Sequence, residues 1–265
     1  MYIAALLALL SSGLYFYTSY ILWNRFNSNY KSHQVWARKR FLLYISIATG
    51  LHFLSFAGSL IQNGMIMFGL GVSLSLIAWI AVCTLLITNL KQPTEKLGIF
   101  ILPIAGISVL FTFIFPATEG ISADIGSHVL LSLTAYSILG LAAAQAFLYS
   151  IQEKRFQQKK LTTIFKNLPP LQVMESIMVQ LITIGFILLT LSLITGIIFI
   201  EDMFAQHLVH KTFFGIIAWI TYATFLIGHY KKGWRGQTAT RFTFWAYFML
   251  ILSYIGTEII LTQIR

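Results

Sequence analysis

The chain has 265 residues, 57% of them hydrophobic and 10% charged, with a mean hydropathy of +0.79 and a formal net charge of +10. A soluble domain of this size needs far more polar side chains to cover its surface, so a membrane protein is expected. The single cysteine, Cys83, excludes an intrachain disulfide and a Cys-rich metal site.

The apolar stretches are continuous and close to the roughly 20 residues that a helical crossing requires. Membrane strands show short alternating patterns instead, so the reading is helical. An all-α, polytopic chain with about eight transmembrane helices follows, forming a single membrane domain over residues 1–265. The helices are expected at about 2–23, 41–62, 67–90, 97–115, 126–151, 173–200, 209–230 and 241–262. The first lacks a basic leader, and its apolar run is too long for a signal peptide, so it reads as a retained helix.

Charge orients these helices. Arg25, Lys31, Arg38, Lys39 and Arg40 follow the first helix, and Lys91 and Lys96 follow the third. Lys154, Arg155, Lys159, Lys160 and Lys166 follow the fifth, and Lys231, Lys232, Arg235 and Arg241 follow the seventh. Of the 18 basic residues, only Lys211 and Arg265 lie on the other side, which carries Glu119, Asp124, Glu201 and Asp202. The positive-inside rule then places both termini outside. Because the cations are divided among loops between spans, the partner is the lipid bilayer and no nucleic-acid surface is implied. Pro169 and Pro170, at the end of the fifth loop, are expected to stop the helical run and set the entry of helix six. No internal repeat supports a transporter of the inverted-repeat kind.

Imidazole is a common ligand for haem iron, and topology sorts the six histidines. His33 is a loop residue. His52 lies within helix two, where an ionisable group is expensive. That cost raises a functional role and a hydrogen bond to a neighbouring helix about equally. His128, His207 and His210 share the outer face, where bonding to headgroups or backbone competes with ligation. His229 ends helix seven beside the basic loop. Glu175 suits the electrostatics of a helix start. No nucleophile–base pair, paired carboxylate or phosphate-cradling loop is visible, so catalysis is not expected.

The second half carries a patterned set. His128, Ser132, Ala135 and Tyr136 form HxxxSxxAY; Leu168-Pro169-Pro170-Leu171 precedes Glu175, Gly185-Phe186 and Leu189-Thr190-Leu191. Trp219 and Tyr222 form WxxY before Gly233-Trp234-Arg235-Gly236, and Tyr254 and Gly256 close the set. This order, strongest over 126–262, resembles the membrane cytochrome c assembly family of CcsA-, CcmC- and HemX-type proteins. It resembles in particular the eight-helix HemX-like and YpjD-like inner membrane proteins.

The resemblance implies haem b as cofactor, His128, His52 and His229 as axial-ligand candidates, and His210, His207 and Trp219 as further cofactor-side residues. It also shows a departure. The family's Trp-rich loop before helix seven reads here Glu201-Asp202-Met203-Phe204-Ala205-Gln206-His207-Leu208-Val209-His210-Lys211, without tryptophan. The external histidine expected after helix eight is replaced by Leu261-Thr262-Gln263-Ile264-Arg265. The expectation is therefore haem binding or transport in cytochrome complex assembly, without covalent attachment of haem. The alternative is a non-catalytic membrane scaffold or regulatory subunit acting on a membrane protein partner.

Overall fold

The computed structural model describes residues 2–27, 34–62, 65–91, 94–116, 119–158, 169–199 and 209–264. Among them are eight long helices: α1 Tyr2–Asn27, α2 Gln34–Leu60, α3 Leu70–Lys91, α4 Gly98–Ile114, α5 Ala123–Gln157, α6 Leu171–Phe199, α7 Val209–Lys232 and α8 Gln237–Ile264. The first seven contain segments long and apolar enough to cross a bilayer. All eight expected helices are present, with two corrections at their edges. Helix α2 begins at Gln34 and so includes Arg38, Lys39 and Arg40, placed in a loop by the charge reading. Helix α5 runs 35 residues to Gln157. At 1.5 Å per residue that is about 52 Å, longer than the ~30 Å hydrocarbon core, so its basic end extends beyond the bilayer.

The all-α expectation needs a further correction. Ile61–Gln62 (β1), Met65–Phe68 (β2) and Glu119–Ile121 (β3) form a small antiparallel sheet in the order β1-β2-β3. Met67 pairs with Gly120, and Ile61 pairs with Ile66. These strands are too short for an alternating pattern to show in the sequence.

The chain forms two compact units. The first comprises residues 1–123 and 160–169, and the second 124–159 and 170–265. In the first, α1 packs on α2 and α4, and α3 on α4. Bilayer helices gain little from the hydrophobic effect against one another, so close approach and interhelical hydrogen bonds hold them. Ser11 donates to the Ala48 carbonyl of α2 at 2.8 Å, and Ser12 to the Gly106 carbonyl of α4 at 2.8 Å. Pro103 lies inside α4 and has no N–H to satisfy the carbonyl four residues earlier. That carbonyl, on Ile99, accepts the Ser19 hydroxyl of α1 at 3.2 Å. Gly71 lets α3 lie directly against the carbonyls of Phe111 in α4 and of Phe115 just after it. Arg38 of α2 donates to the Asn89 carbonyl near the end of α3.

In the second unit α5 and α6 run antiparallel. Gly185 abuts Leu139, Gly140 abuts the Tyr247 hydroxyl of α8, and Gln145 Nε2 donates to the Met174 carbonyl at 3.1 Å. The expected proline entry is present: the Pro170 carbonyl accepts the first turn of α6 from Val173 and Met174. Helices α7 and α8 pack closely, joined by a tight corner at residues 233–236.

Candidate functional site

Six residues carried the functional expectation, and the structure separates them. His52 of α2 is fully buried in the first unit. Its Nδ1 meets the Tyr15 hydroxyl of α1 at 3.3 Å, and its Nε2 meets the Ser75 hydroxyl of α3 at 2.8 Å. Tyr15 and Phe56 rings pack edge-on against it. The imidazole thereby ties three helices together, and both of its ring nitrogens are engaged. Trp79 Nε1, donating to the Thr49 carbonyl at 3.0 Å, and the Ser55 hydroxyl, bonded to the His52 carbonyl, extend this polar seam.

His128 lies near the start of α5 in the second unit. Its Nδ1 is 3.1 Å from the Thr195 hydroxyl of α6. That hydroxyl gives its proton to the Leu191 or Ser192 carbonyl of its own helix, both at 3.0 Å. With its proton so placed, that hydroxyl is an acceptor for an Nδ1–H of His128. Gly196 faces the ring: a methyl there would stand 3.0 Å from Cε1. One turn further along α5, Ser132 meets Ser192 at 2.6 Å and also donates to the His128 carbonyl at 2.8 Å.

His229 occupies the last turn of α7. Its Nδ1 is 2.7 Å from the Trp234 carbonyl. A carbonyl only accepts, so Nδ1 carries the proton and Nε2 is left with a lone pair. Among the described residues no hydrogen bond is made to Nε2. The corner that brings Trp234 back is built by glycine. Gly233, at φ +67°, ends the helix in the left-handed region, its N–H returning to the His229 carbonyl at 3.1 Å. The Trp234 N–H returns to the Gly228 carbonyl at 3.2 Å, and Gly228 offers a bare backbone for the indole to lie on. Gly236, at φ +60°, turns the chain into α8.

Trp219 stands between these ends. It stacks on Phe186 at 5.6 Å and donates from Nε1 to the Thr190 hydroxyl at 2.9 Å. Its ring edge is thus used to join α7 to α6. His210 falls in the first turn of α7, and its side chain lies outside the described residues, as do His33 and His207.

The register gives the spacing. His128 sits opposite Thr195 and Gly196 on α6, whereas Trp219 sits opposite Thr190 and Phe186. His229 lies a further ten residues along α7, level with about residue 179 of α6. The two histidines are therefore about 24 Å apart along the helix axes. A metal–nitrogen bond is about 2 Å long, so they cannot ligate one iron. They occupy opposite ends of one helical unit. Between them lie buried tyrosines: Tyr136 hydrogen-bonds Ser253, and Tyr222 is fully buried, its hydroxyl without a hydrogen-bond partner among the described residues.

Sequence reasoning placed the histidines but missed the groups that orient them: Thr195, Gly196, the Trp234 carbonyl, Tyr15 and Ser75. Thr195-Gly196 is the one local signal that was available. A hydroxyl beside a side-chain-free position on a membrane helix marks a close polar contact.

The fold and these hydrogen-bonded imidazoles define a multi-pass helical membrane protein with a histidine near each end of its second unit. The chain belongs to the cytochrome c assembly family, whose model (Cytochrome C assembly protein) matches residues 67–264. The match begins well before residue 126 and takes in α3 and α4. The chain is 35% identical over 144 residues to the inner membrane protein YpjD of Escherichia coli strain K12, covering 54% of this chain and 53% of the relative. A 28.8 kDa protein of Azospirillum brasilense is 27% identical over 135 residues, 50% of each chain. The cytochrome c biogenesis protein CcsA of Prochlorococcus marinus strain MIT 9303 is 27% identical over 96 residues, 36% of this chain and 30% of the relative. The chain thus aligns with about half or less of the length of these relatives. No solved structure matches it.

Proposed function

We propose that this chain binds and passes haem within the inner membrane as part of cytochrome c assembly, and does not itself attach haem covalently. Both termini face the periplasm, and the basic loops face the cytoplasm. The observation that carries the reading is the 2.7 Å bond from His229 to the Trp234 carbonyl. Metal-binding histidines characteristically donate their second ring N–H to a carbonyl, which fixes the tautomer and raises ligand basicity. His128 has the equivalent arrangement through Thr195. The donor set thus fits haem iron at two separate positions, one histidine at each.

In this reading His229 is the ligand at the basic end and His128 the ligand at the other, with His210 and His207 assigned by the alternation of loops to the same outer face as His128. Haem b supplies the iron that these imidazoles would coordinate. The chain's own residues orient the nitrogens, exclude lipid and fix the two levels. His52 serves the first unit as a helix tie. The relative named for cytochrome c biogenesis supports the process, and the family membership supports the cofactor.

The test is a visible spectrum of protein purified in detergent from haem-replete cells, oxidised and reduced, beside His229→Ala and His128→Ala. A Soret band that each substitution weakens, and the double substitution removes, is expected. No band in the wild type, even after haemin is added, would overturn the reading and leave the scaffold alternative.

A further inference from the structure

We infer that the groove between α7 and α8 is a binding site for one anionic phospholipid, with Arg241 holding the headgroup phosphate and the acyl chain lying over Trp245. The groove has a volume of about 450 Å³ and is lined by Ile217 and Thr221 of α7 and by Arg241, Phe242, Trp245 and Met249 of α8. It lies within one compact unit and involves no histidine, so it does not rest on haem binding.

Three observations converge on a lipid. The first is depth. Arg241 stands four residues into α8, about 6 Å along the axis, and Met249 about 18 Å. A leaflet's hydrocarbon is about 15 Å deep, half of the bilayer core. The lining therefore runs about 12 Å from Arg241 to Met249, most of a leaflet's depth, with Arg241 at the end nearest the basic corner. The second is charge. Arg241 is exposed, and among the described residues it makes no hydrogen bond or ion pair. A guanidinium fork at a membrane boundary is well matched to a phosphate. Lys231, Lys232 and Arg235 lie at the same end and add to the positive field.

The third is chemistry along the wall. Below Arg241 the lining is apolar apart from Thr221, whose hydroxyl donates to the Ile217 carbonyl at 2.7 Å and so is spent within its own helix. Trp245, 62% exposed, is the kind of amphipathic ring found at lipid boundaries. A phospholipid carries its phosphate at the required depth already.

The experiment is native mass spectrometry of the full chain released from nanodiscs containing equal dioleoyl phosphatidylglycerol and dioleoyl phosphatidylcholine. One phosphatidylglycerol retained in preference to phosphatidylcholine is expected. Arg241→Gln should reduce that preference about fivefold, the effect of one cation at a membrane surface. Arg241→Lys should keep most of it. Met249→Trp, which fills the groove and leaves Arg241 intact, should displace the lipid; circular dichroism confirms that each variant is helical. Equal retention of both lipids by the wild type, or full preference retained in Arg241→Gln, would overturn the assignment. Displacement of phosphatidylglycerol by millimolar inorganic phosphate would also overturn it, by reassigning Arg241 to a free anion.

Discussion

His229 and Trp234 close the corner after α7 on itself: the imidazole Nδ1 donates to the tryptophan carbonyl at 2.7 Å, while the indole lies against Gly228 one residue before the histidine. Ring orientation and chain reversal are therefore one structure. His229→Ala is expected to remove the haem absorbance assigned to this end and to lower stability by about 1 kcal/mol, because the carbonyl loses its donor. Parallel spectra and detergent-denaturation curves measure the two effects.

The corner makes unequal demands on its glycines. A methyl on Gly228 would enter the Trp234 indole, so Gly228→Ala should cost about 1–3 kcal/mol by overpacking. Gly233 has open space around it, and its φ of +67° is the whole constraint. Gly233→Ala should cost about 1 kcal/mol, the ordinary penalty for that backbone region. Equilibrium unfolding followed by tryptophan fluorescence orders the two.

At the other end, Thr195 and Gly196 set the His128 ring. Thr195→Val removes the acceptor for Nδ1–H and should weaken haem retention at His128, whereas Thr195→Ser should preserve it. Gly196→Ala should turn the ring, since its methyl would lie 3.0 Å from Cε1. Haem stoichiometry in a His229→Ala background isolates this end. Unchanged stoichiometry in Thr195→Val would show that the threonine does not orient the ligand.

His52 and Tyr222 offer opposite tests of buried polarity. His52→Leu leaves the Tyr15 and Ser75 hydroxyls without their shared partner and should destabilise by about 1–3 kcal/mol. It should leave the haem spectrum unchanged. The Tyr222 hydroxyl is buried and has no hydrogen-bond partner among the described residues, so Tyr222→Phe should be neutral or stabilising. Thermal unfolding in detergent gives both signs.

Orientation is measured with reporters. Alkaline phosphatase fused after Arg265 should be active, and green fluorescent protein at the same position should be dark. The reverse pattern would invert the assignment of the basic loops.

The helix count and the distribution of charge were legible in the sequence because lipid imposes them segment by segment. A span needs its own apolar length and satisfies its own backbone, so no distant residue enters the decision. The proline entry to α6 was legible for the same local reason: Pro170 both lacks an N–H and restricts the residue before it. The small sheet was not legible, because Met67 and Gly120 pair across more than fifty residues and each strand alone is too short to carry a pattern.

The sequence by itself determined that this protein is helical, membrane-spanning and a bearer of histidines at defined depths. Only the tertiary structure decided what each histidine can do. Depth follows from position along one helix, whereas a nitrogen's availability depends on which neighbouring helix supplies a hydroxyl or a carbonyl. His52 has both nitrogens taken by α1 and α3. His229 has one taken by its own corner and, among the described residues, one left over. That difference arises from packing between helices, and no spacing along the chain encodes it.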